Sequence, residues 1–163
     1  MLKIINTILL FILLTTKSYS EVINKVNVIN NDRITQETIL VFSNIEIGKN
    51  YSANDLNEII KDLYDTNFFS NISLNLNDGV LTIDVKENKV IQEIEINGIK
   101  KKELVELLKK QLLLKDKNPF VESFILNDVD RIQKILKNSG YYFSVVTDKI
   151  IENQNNTVNI IFN

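Results

Sequence analysis

The sequence predicts an α+β fold in which one β-α-α-β-β unit is used twice. Three observations carry that prediction. The first is internal repetition. Leu56, Ile59 and Leu63 ahead of Asn67-Phe68-Phe69-Ser70-Asn71-Ile72 return 73 residues later as Val129, Ile132 and Leu136 ahead of Gly140-Tyr141-Tyr142-Phe143-Ser144-Val145. Val26-Asn27-Val28 returns as Ile94-Glu95-Ile96 at an offset of 68. A unit that returns at a nearly constant offset is a small module in tandem, and the change of offset marks an insertion within it. The second observation is strict alternation of apolar and polar residues on both sides of Asp78-Gly79, the pattern of a hairpin. The third is a stripe of Leu56, Ile59, Ile60, Leu63 and Tyr64 at helical spacing.

The elements follow in order. Residues 22–29 are β-rich, with Val26 and Val28 on one face and Lys25 and Asn27 on the other. Thr35 is placed to cap a short helix through Ser43 whose apolar side is Ile39, Leu40 and Phe42. Gly48 breaks the chain, and Ser52-Ala53-Asn54-Asp55 resembles a capping box that starts a second helix carrying the apolar stripe. Ile72, Leu74 and Leu76 then alternate with Ser73, Asn75 and Asn77, and after Asp78-Gly79 the return strand alternates Leu81, Ile83 and Val85 with Thr82, Asp84 and Lys86. Each unit therefore builds a three-stranded mixed sheet with one apolar face, which two helices cover.

The second unit repeats the order. A strand over 91–97 points Ile94 and Ile96 inward, and a helix over 102–113 uses Leu104, Leu107, Leu108 and Leu112. The shift from 68 to 73 puts five extra residues in the region between the helices, around 115–119. A helix over 125–138 stops at Gly140, and strands over 141–151 and 157–162 close the unit around a turn at 153–156. The boundary between units falls near Glu87-Asn88-Lys89, giving 21–88 and 89–163.

Residues 1–20 read as a cleavable export signal. Lys3 precedes an apolar run over 4–14, and Ser18-Tyr19-Ser20 sets small residues ahead of a cut before Glu21. The run is shorter than the roughly 20 residues that span a bilayer. An uncleaved anchor is the competing reading, drawn from Lys17 so close to the cut.

Composition excludes several classes of chemistry. The chain contains no Cys and no His. Disulfides, thiolate nucleophiles, His acid–base pairs and ordinary zinc sites are thus out of reach, and no cofactor or metal is expected. Glu58, Asp62 and Asp65 are spaced for a solvated helix face and not as a convergent acid pair, so a binding module is expected in place of an enzyme. Acids outnumber bases, with a net charge of −2, and loss of Lys3 and Lys17 with the signal would deepen that excess. Such a surface disfavours nucleic acid, whose binding rests on neutralising phosphates. Lys100-Lys101-Lys102 is the one dense basic cluster. It reads either as a solvated first helical turn or as a contact with anionic lipid headgroups.

Taken together, Thr35-Gln36-Glu37-Thr38-Ile39, Gly48-Lys49-Asn50-Tyr51-Ser52, the run from Leu63 through Phe68-Phe69 to Ile72, the strand Leu81-Thr82-Ile83-Asp84-Val85 and Ile94-Glu95-Ile96-Asn97-Gly98 resemble POTRA domains. These are the polypeptide-transport-associated repeats of outer-membrane protein assembly factors. The likeness covers nearly all of 22–98. It is looser over 89–163, where Asn97-Gly98 and Gly140-Tyr141-Tyr142 carry it. Asn67 stands where the family usually has Gly, a residue that also tolerates the left-handed conformation.

The resemblance implies a location at the periplasmic face of the outer membrane in a Gram-negative bacterium. It implies unfolded outer-membrane proteins, periplasmic chaperones and outer-membrane assembly lipoproteins as partners. Contact with the membrane surface is the expectation that the Lys100-Lys101-Lys102 cluster adds, and a homo-oligomer is not expected. The POTRA region of a two-partner secretion transporter and a cell-division-type POTRA module are the alternatives. In the family the repeats precede a transmembrane β-barrel, and the sequence to Asn163 shows none of its many alternating strands. Two expectations stay open, a fragment of a longer barrel protein or a short stand-alone relative.

The expected binding sites are sheet edges. A sheet edge carries unpaired N–H and C=O groups and accepts an added strand. The expected edges are Ile72, Ser73, Leu74, Asn75, Leu76 and Asn77 in the first unit, and Phe143, Ser144, Val145, Val146, Thr147, Asp148 and Lys149 in the second. Neighbouring modules capping those edges is the alternative. Phe68-Phe69 and Tyr141-Tyr142-Phe143, each between a helix and a strand, are expected to plug the two cores, with an exposed aromatic platform as the other reading.

Overall fold

The computed structural model describes residues 20–163, so the signal reading of 1–20 lies almost wholly outside the described residues. The chain forms two compact units, one from residues up to Asp65 with Ile72–Val85 and one from Thr66–Asn71 with Lys86–Asn163. Both are α+β, each with a three-stranded mixed sheet.

The first repeat runs β1 (Ser20–Val22), β2 (Lys25–Ile29), α1 (Gln36–Ser43), β3 (Asn50–Ser52), α2 (Ala53–Asp65), β4 (Phe69–Asn77) and β5 (Val80–Glu87), of which residues 69–71 and 86–87 count with the second unit. The sheet order is β2-β5-β4. β2 runs parallel to β5, setting Val26 beside Leu81 and Val28 beside Ile83. The two-residue connection between β4 and β5 permits only an antiparallel pair. Asp78 and Gly79 have φ of 52° and 74°, the left-handed pair that a type I′ turn requires. Val26, Ile39, Ile59, Leu63, Leu81, Ile83 and Val85 are buried, which brings both helical stripes onto the apolar sheet face.

Helix starts follow the sequence signals. The Thr35 hydroxyl accepts the Thr38 N–H at 3.3 Å. Ser52 and Asp55 bond reciprocally. The Ser52 N–H and hydroxyl each donate to Asp55 Oδ2 at 2.7 Å, and the Asp55 N–H donates to Ser52 Oγ at 3.4 Å. Those donors hold the Asp55 carboxyl below its ordinary range. The contribution of the box is therefore complete above the unfolded-state value and is lost as pH falls through the lowered folded one.

The single strand expected over 22–29 is broken at Ile23-Asn24. Asn24 and Lys25 N–H both donate to the Gly79 carbonyl, at 2.7 and 3.1 Å, while Ile23 turns the other way and exchanges bonds with Lys49 and Gly48. β1 thereby leaves the sheet and pairs antiparallel with β3, Ser20 opposite Ser52. Three-residue strands are too short to show a period, which is why only coordinates reveal this ribbon.

The second unit comprises β6 (Val90–Ile96), α3 (Lys102–Gln111), α4 (Phe124–Asn138), β7 (Asp148–Glu152) and β8 (Thr157–Phe162). The sheet order is β6-β8-β7, with β6 parallel and β7 antiparallel to β8. Ile91, Ile94, Leu104, Leu108, Leu112, Leu114, Ile125, Ile132, Leu136, Val158, Ile160 and Phe162 form its core. Leu107, expected in the stripe, is exposed, and α3 ends at Gln111 before the expected 113. A buried carboxylate explains the early stop. Asp128 of α4 has no exposed surface and accepts the N–H groups of Leu113 and Leu114 at 2.7 and 2.9 Å, drawing the chain out of the helix and seating Leu114 in the core.

The end of α4 overturns the expected strand over 141–151. Gly140, at φ 95°, lets the Tyr141 N–H donate to the Leu136 carbonyl at 2.9 Å and the Gly140 N–H to Lys137 at 3.2 Å, a Schellman motif. The chain then turns again. Ser144 N–H and hydroxyl donate to the Tyr141 carbonyl, and Gln133 Nε2 holds the Ser144 carbonyl at 2.8 Å. Tyr142 and Phe143 thus occupy the tip of a tight turn, which cannot fold back onto the core beneath it. Phe69 is buried as a plug should be, whereas Phe143 is 98% exposed. The plug expected at Tyr141-Tyr142-Phe143 does not exist.

Two stability outcomes follow. A Cβ on Gly79 would run into Asn24 Nδ2 and meet the Val22 carbonyl at 3.3 Å, at a φ that strains any L side chain. Gly79→Ala should cost about 2 kcal/mol, read as a lower urea midpoint of the first unit at unchanged m. Asp128→Ala, which strands two N–H groups, should cost about 3 kcal/mol, and Asp128→Asn about half as much.

Candidate functional site

A three-stranded sheet has one fully paired strand and two edges, so the candidate sites are the outer sides of β2, β4, β6 and β7. The four are treated differently.

β6 is sealed. The longer connection between α3 and α4 runs along its outer side and bonds to it. Ile91 N–H donates to Asn118 O at 2.9 Å, Lys117 N–H to Ile91 O at 2.7 Å, and Phe120 N–H to Lys89 O at 2.7 Å. Val90 also forms a bridge with Pro119. At the bulge between Ile91 and Glu93, Lys117 Nζ reaches the Gln92 carbonyl at 3.0 Å and Asp116 Oδ1 takes the Ile94 N–H at 2.7 Å. The extra residues that the changing offset located therefore have a structural task. The sequence showed the insertion, and nothing in it pointed to the strand it covers.

β7 is short and guarded. Its five residues include Asp148, Lys149 and Glu152, all exposed, and Glu152 pairs with Lys89. Charges at this density discourage an incoming strand. The expected second-unit site is largely displaced. Of Phe143, Ser144, Val145, Val146, Thr147, Asp148 and Lys149, only Asp148 and Lys149 lie in β7, opposite Phe162 and Ile161. Val146 is buried in the core, and Thr147 exchanges two hydrogen bonds with Asn163 at 2.9 and 3.0 Å. Phe143, Ser144 and Val145 belong to the turn that the Schellman motif starts.

β4 differs on every count. It runs nine residues, Phe69–Asn77, at the edge of its sheet, with no charge and no proline. Ile72 is buried and Leu74 and Leu76 half-buried toward the helices, while Ser73, Asn75 and Asn77 are exposed. All six expected first-unit residues lie on this strand. One neighbour reaches its rim: Tyr64, near the end of α2, accepts the Ile72 N–H on its hydroxyl at 3.1 Å. β2 is shorter, five residues, and the Gln36 amide touches its Val26 carbonyl at 3.4 Å.

Among the described residues no group of three or more His, Cys, Asp or Glu is placed to hold a metal ion. Glu58, Asp62 and Asp65 lie exposed along α2.

The profile described as "POTRA: Surface antigen variable number repeat" matches residues 21–88 and 89–163. The chain is 23% identical over 87 residues to the "Outer membrane protein assembly factor BamA" of Neorickettsia risticii (strain Illinois). That stretch is 53% of this chain and 12% of the relative, so the match spans a small part of the longer protein. The fold is similar to the N-terminal domain of Omp85 from Thermosynechococcus elongatus. There the TM-score is 0.59 at 13% identity, over 88% of this chain and 63% of that one. It is also similar to POTRA1-2 of the periplasmic domain of Omp85 from Anabaena, with a TM-score of 0.54 at 16% identity, over 89% and 96% of the two chains.

Tyr64→Phe removes the acceptor from the Ile72 N–H and leaves the ring in place. Amide exchange at Ile72 should accelerate about fivefold, the scale of one net hydrogen bond, with Ile83 on the central strand unchanged.

Proposed function

This chain belongs to the POTRA family, and from that premise we propose that it is a receiving module for outer-membrane β-barrel assembly. In this reading it stands at the periplasmic face of the outer membrane and binds unfolded outer-membrane proteins by strand addition to β4. It is a binding module and not an enzyme. Periplasmic chaperones and outer-membrane assembly lipoproteins are its further partners, and residues 1–20 serve export.

One observation carries the proposal: β4 is a long, uncharged edge without proline, beside edges that are sealed, charged or short. Natural sheets blunt their edges with charge, bulges or cover because a bare edge recruits other chains. Retaining one is consistent with a use for it. Strand addition also suits the proposed client. Main-chain pairing ignores side-chain identity, so one edge serves many extended sequences.

The turn sets which groups are offered. A two-residue turn makes Asn77 and Val80 a bonded pair, and the antiparallel alternation then directs the N–H groups of Leu76, Leu74 and Ile72 away from β5. The bond from Ile72 N–H to Tyr64 agrees with that direction. An added strand would take the Leu74 and Leu76 groups directly and compete with the Tyr64 hydroxyl at Ile72.

Hydrogen exchange with an extended peptide from an outer-membrane β-strand tests the reading. At about ten times the dissociation constant, the Leu74 and Leu76 amides should exchange about tenfold more slowly, while Ser73 and Asn75 change little. Unchanged exchange at saturating peptide would remove β4 as the receiving edge.

A further inference from the structure

The turn that displaced the expected second-unit strand leaves an apolar tip with no role in strand addition. Tyr142, Phe143 and Val145 are 68%, 98% and 77% exposed. This tip is not a frayed end. The Schellman bonds behind it and the bonds from Ser144 and Gln133 hold its backbone, so the aromatic side chains are presented and not merely unburied.

A second segment comes up beside it. Asn97, Gly98 and Ile99, after β6, share the walls of a groove of about 140 Å³ with Tyr141 and Val145. Lys100, Lys101 and Lys102 follow directly, all exposed. Across 97–102 and 137–147 there are four lysines, the fourth being Lys137, with the first carboxylates, Glu103 and Asp148, just beyond, in a chain where acids outnumber bases. None of the four makes an ion pair among the described residues. Positive charge and projecting aromatic rings are thus gathered at one place on a unit that is otherwise acidic or mixed.

We infer that loop 141–145 and turn 100–102 form an interfacial anchor for an anionic phospholipid surface. Charge complementarity chooses this occupant, since a cluster of exposed lysines suits an anionic surface. Aromatic rings seated at the headgroup level, ringed by long Lys side chains that reach the phosphates, are the chemistry of interfacial membrane binding. The lysines supply long-range attraction to anionic headgroups, and Tyr142 and Phe143 supply the apolar insertion. The inference is independent of β4, and either can fail without the other.

The chain has no Trp, so Phe143→Trp in the full chain makes the anchor report on itself. Phe143 is almost fully exposed, so its replacement leaves the core unaltered. With phosphatidylcholine vesicles containing about one quarter phosphatidylglycerol, the indole emission should shift to the blue and be quenched by brominated acyl chains. Each of Lys100→Gln, Lys101→Gln and Lys102→Gln should weaken that binding about fivefold, and added salt should weaken it further. Three results would overturn the inference. One is emission unmoved by the anionic vesicles. Another is equal affinity for pure phosphatidylcholine. The last is a blue shift without vesicles that grows with protein concentration, which would give the patch to a second copy of the chain.

Discussion

Backbone N–H and C=O groups have to be paired or solvated, and a sheet of three strands can pair only the middle one on both sides. Each repeat of this chain therefore inherits two exposed rows of polar groups, along with an apolar face that its two helices must cover. The cover is conventional. The edges are where the two repeats part company, and the difference is written in local chemistry. In the second repeat, inserted residues lie along β6 and charges stud β7. In the first, β4 keeps nine residues free of charge and proline. A common plan thus yields one repeat with a long uncharged edge and one whose edges are covered or charged.

Closing β6 depends on a buried acid. Asp128 sits on α4 with no exposed surface, and its carboxylate receives two consecutive backbone N–H groups from the chain leaving α3. That fixes where α3 ends and sends the following residues toward β6 in place of another helical turn. The bonds of Lys117, Asn118 and Phe120 with β6 complete the path. Buried acids normally cost stability unless fully bonded. Here both oxygens have donors, so the acid specifies a loop route that apolar packing alone would leave loose.

A similar economy of means governs the other end of α4. Gly140 in the left-handed region closes the helix by a Schellman motif, and the polar bonds of Ser144 and Gln133 make a second turn at once. Two successive turns leave no extended backbone, so β7 begins only at Asp148. In the first repeat Asn67 has the same left-handed backbone, at φ 60°, but Phe69 enters β4 and is buried. One sequence pattern, helix then glycine-like residue then aromatics, has two outcomes according to what the next polar side chains bond.

Sequence alone determined the elements whose causes are local. The helix caps at Thr35 and Ser52, the Asp78-Gly79 turn, the alternation of β4 and β5 and the α2 stripe each depend on neighbours a few residues away, and the edge position of Ile72–Asn77 followed from the order of elements. The repeat and its insertion were equally legible, because periodicity survives divergence of individual residues. Tertiary structure decided the rest. The three-residue β1–β3 ribbon has no period to read, and it joins residues 28 to 32 apart in sequence. Nothing local sets Asp128 apart from other helix-face acids, because its N–H partners lie 15 and 14 residues away along the chain. The largely apolar run from Tyr141 to Val146 imitated a strand because composition records which residues are apolar, not whether the backbone between them is extended. That was settled by the Ser144 and Gln133 side chains, whose bonds exist only once the helix and the loop have met.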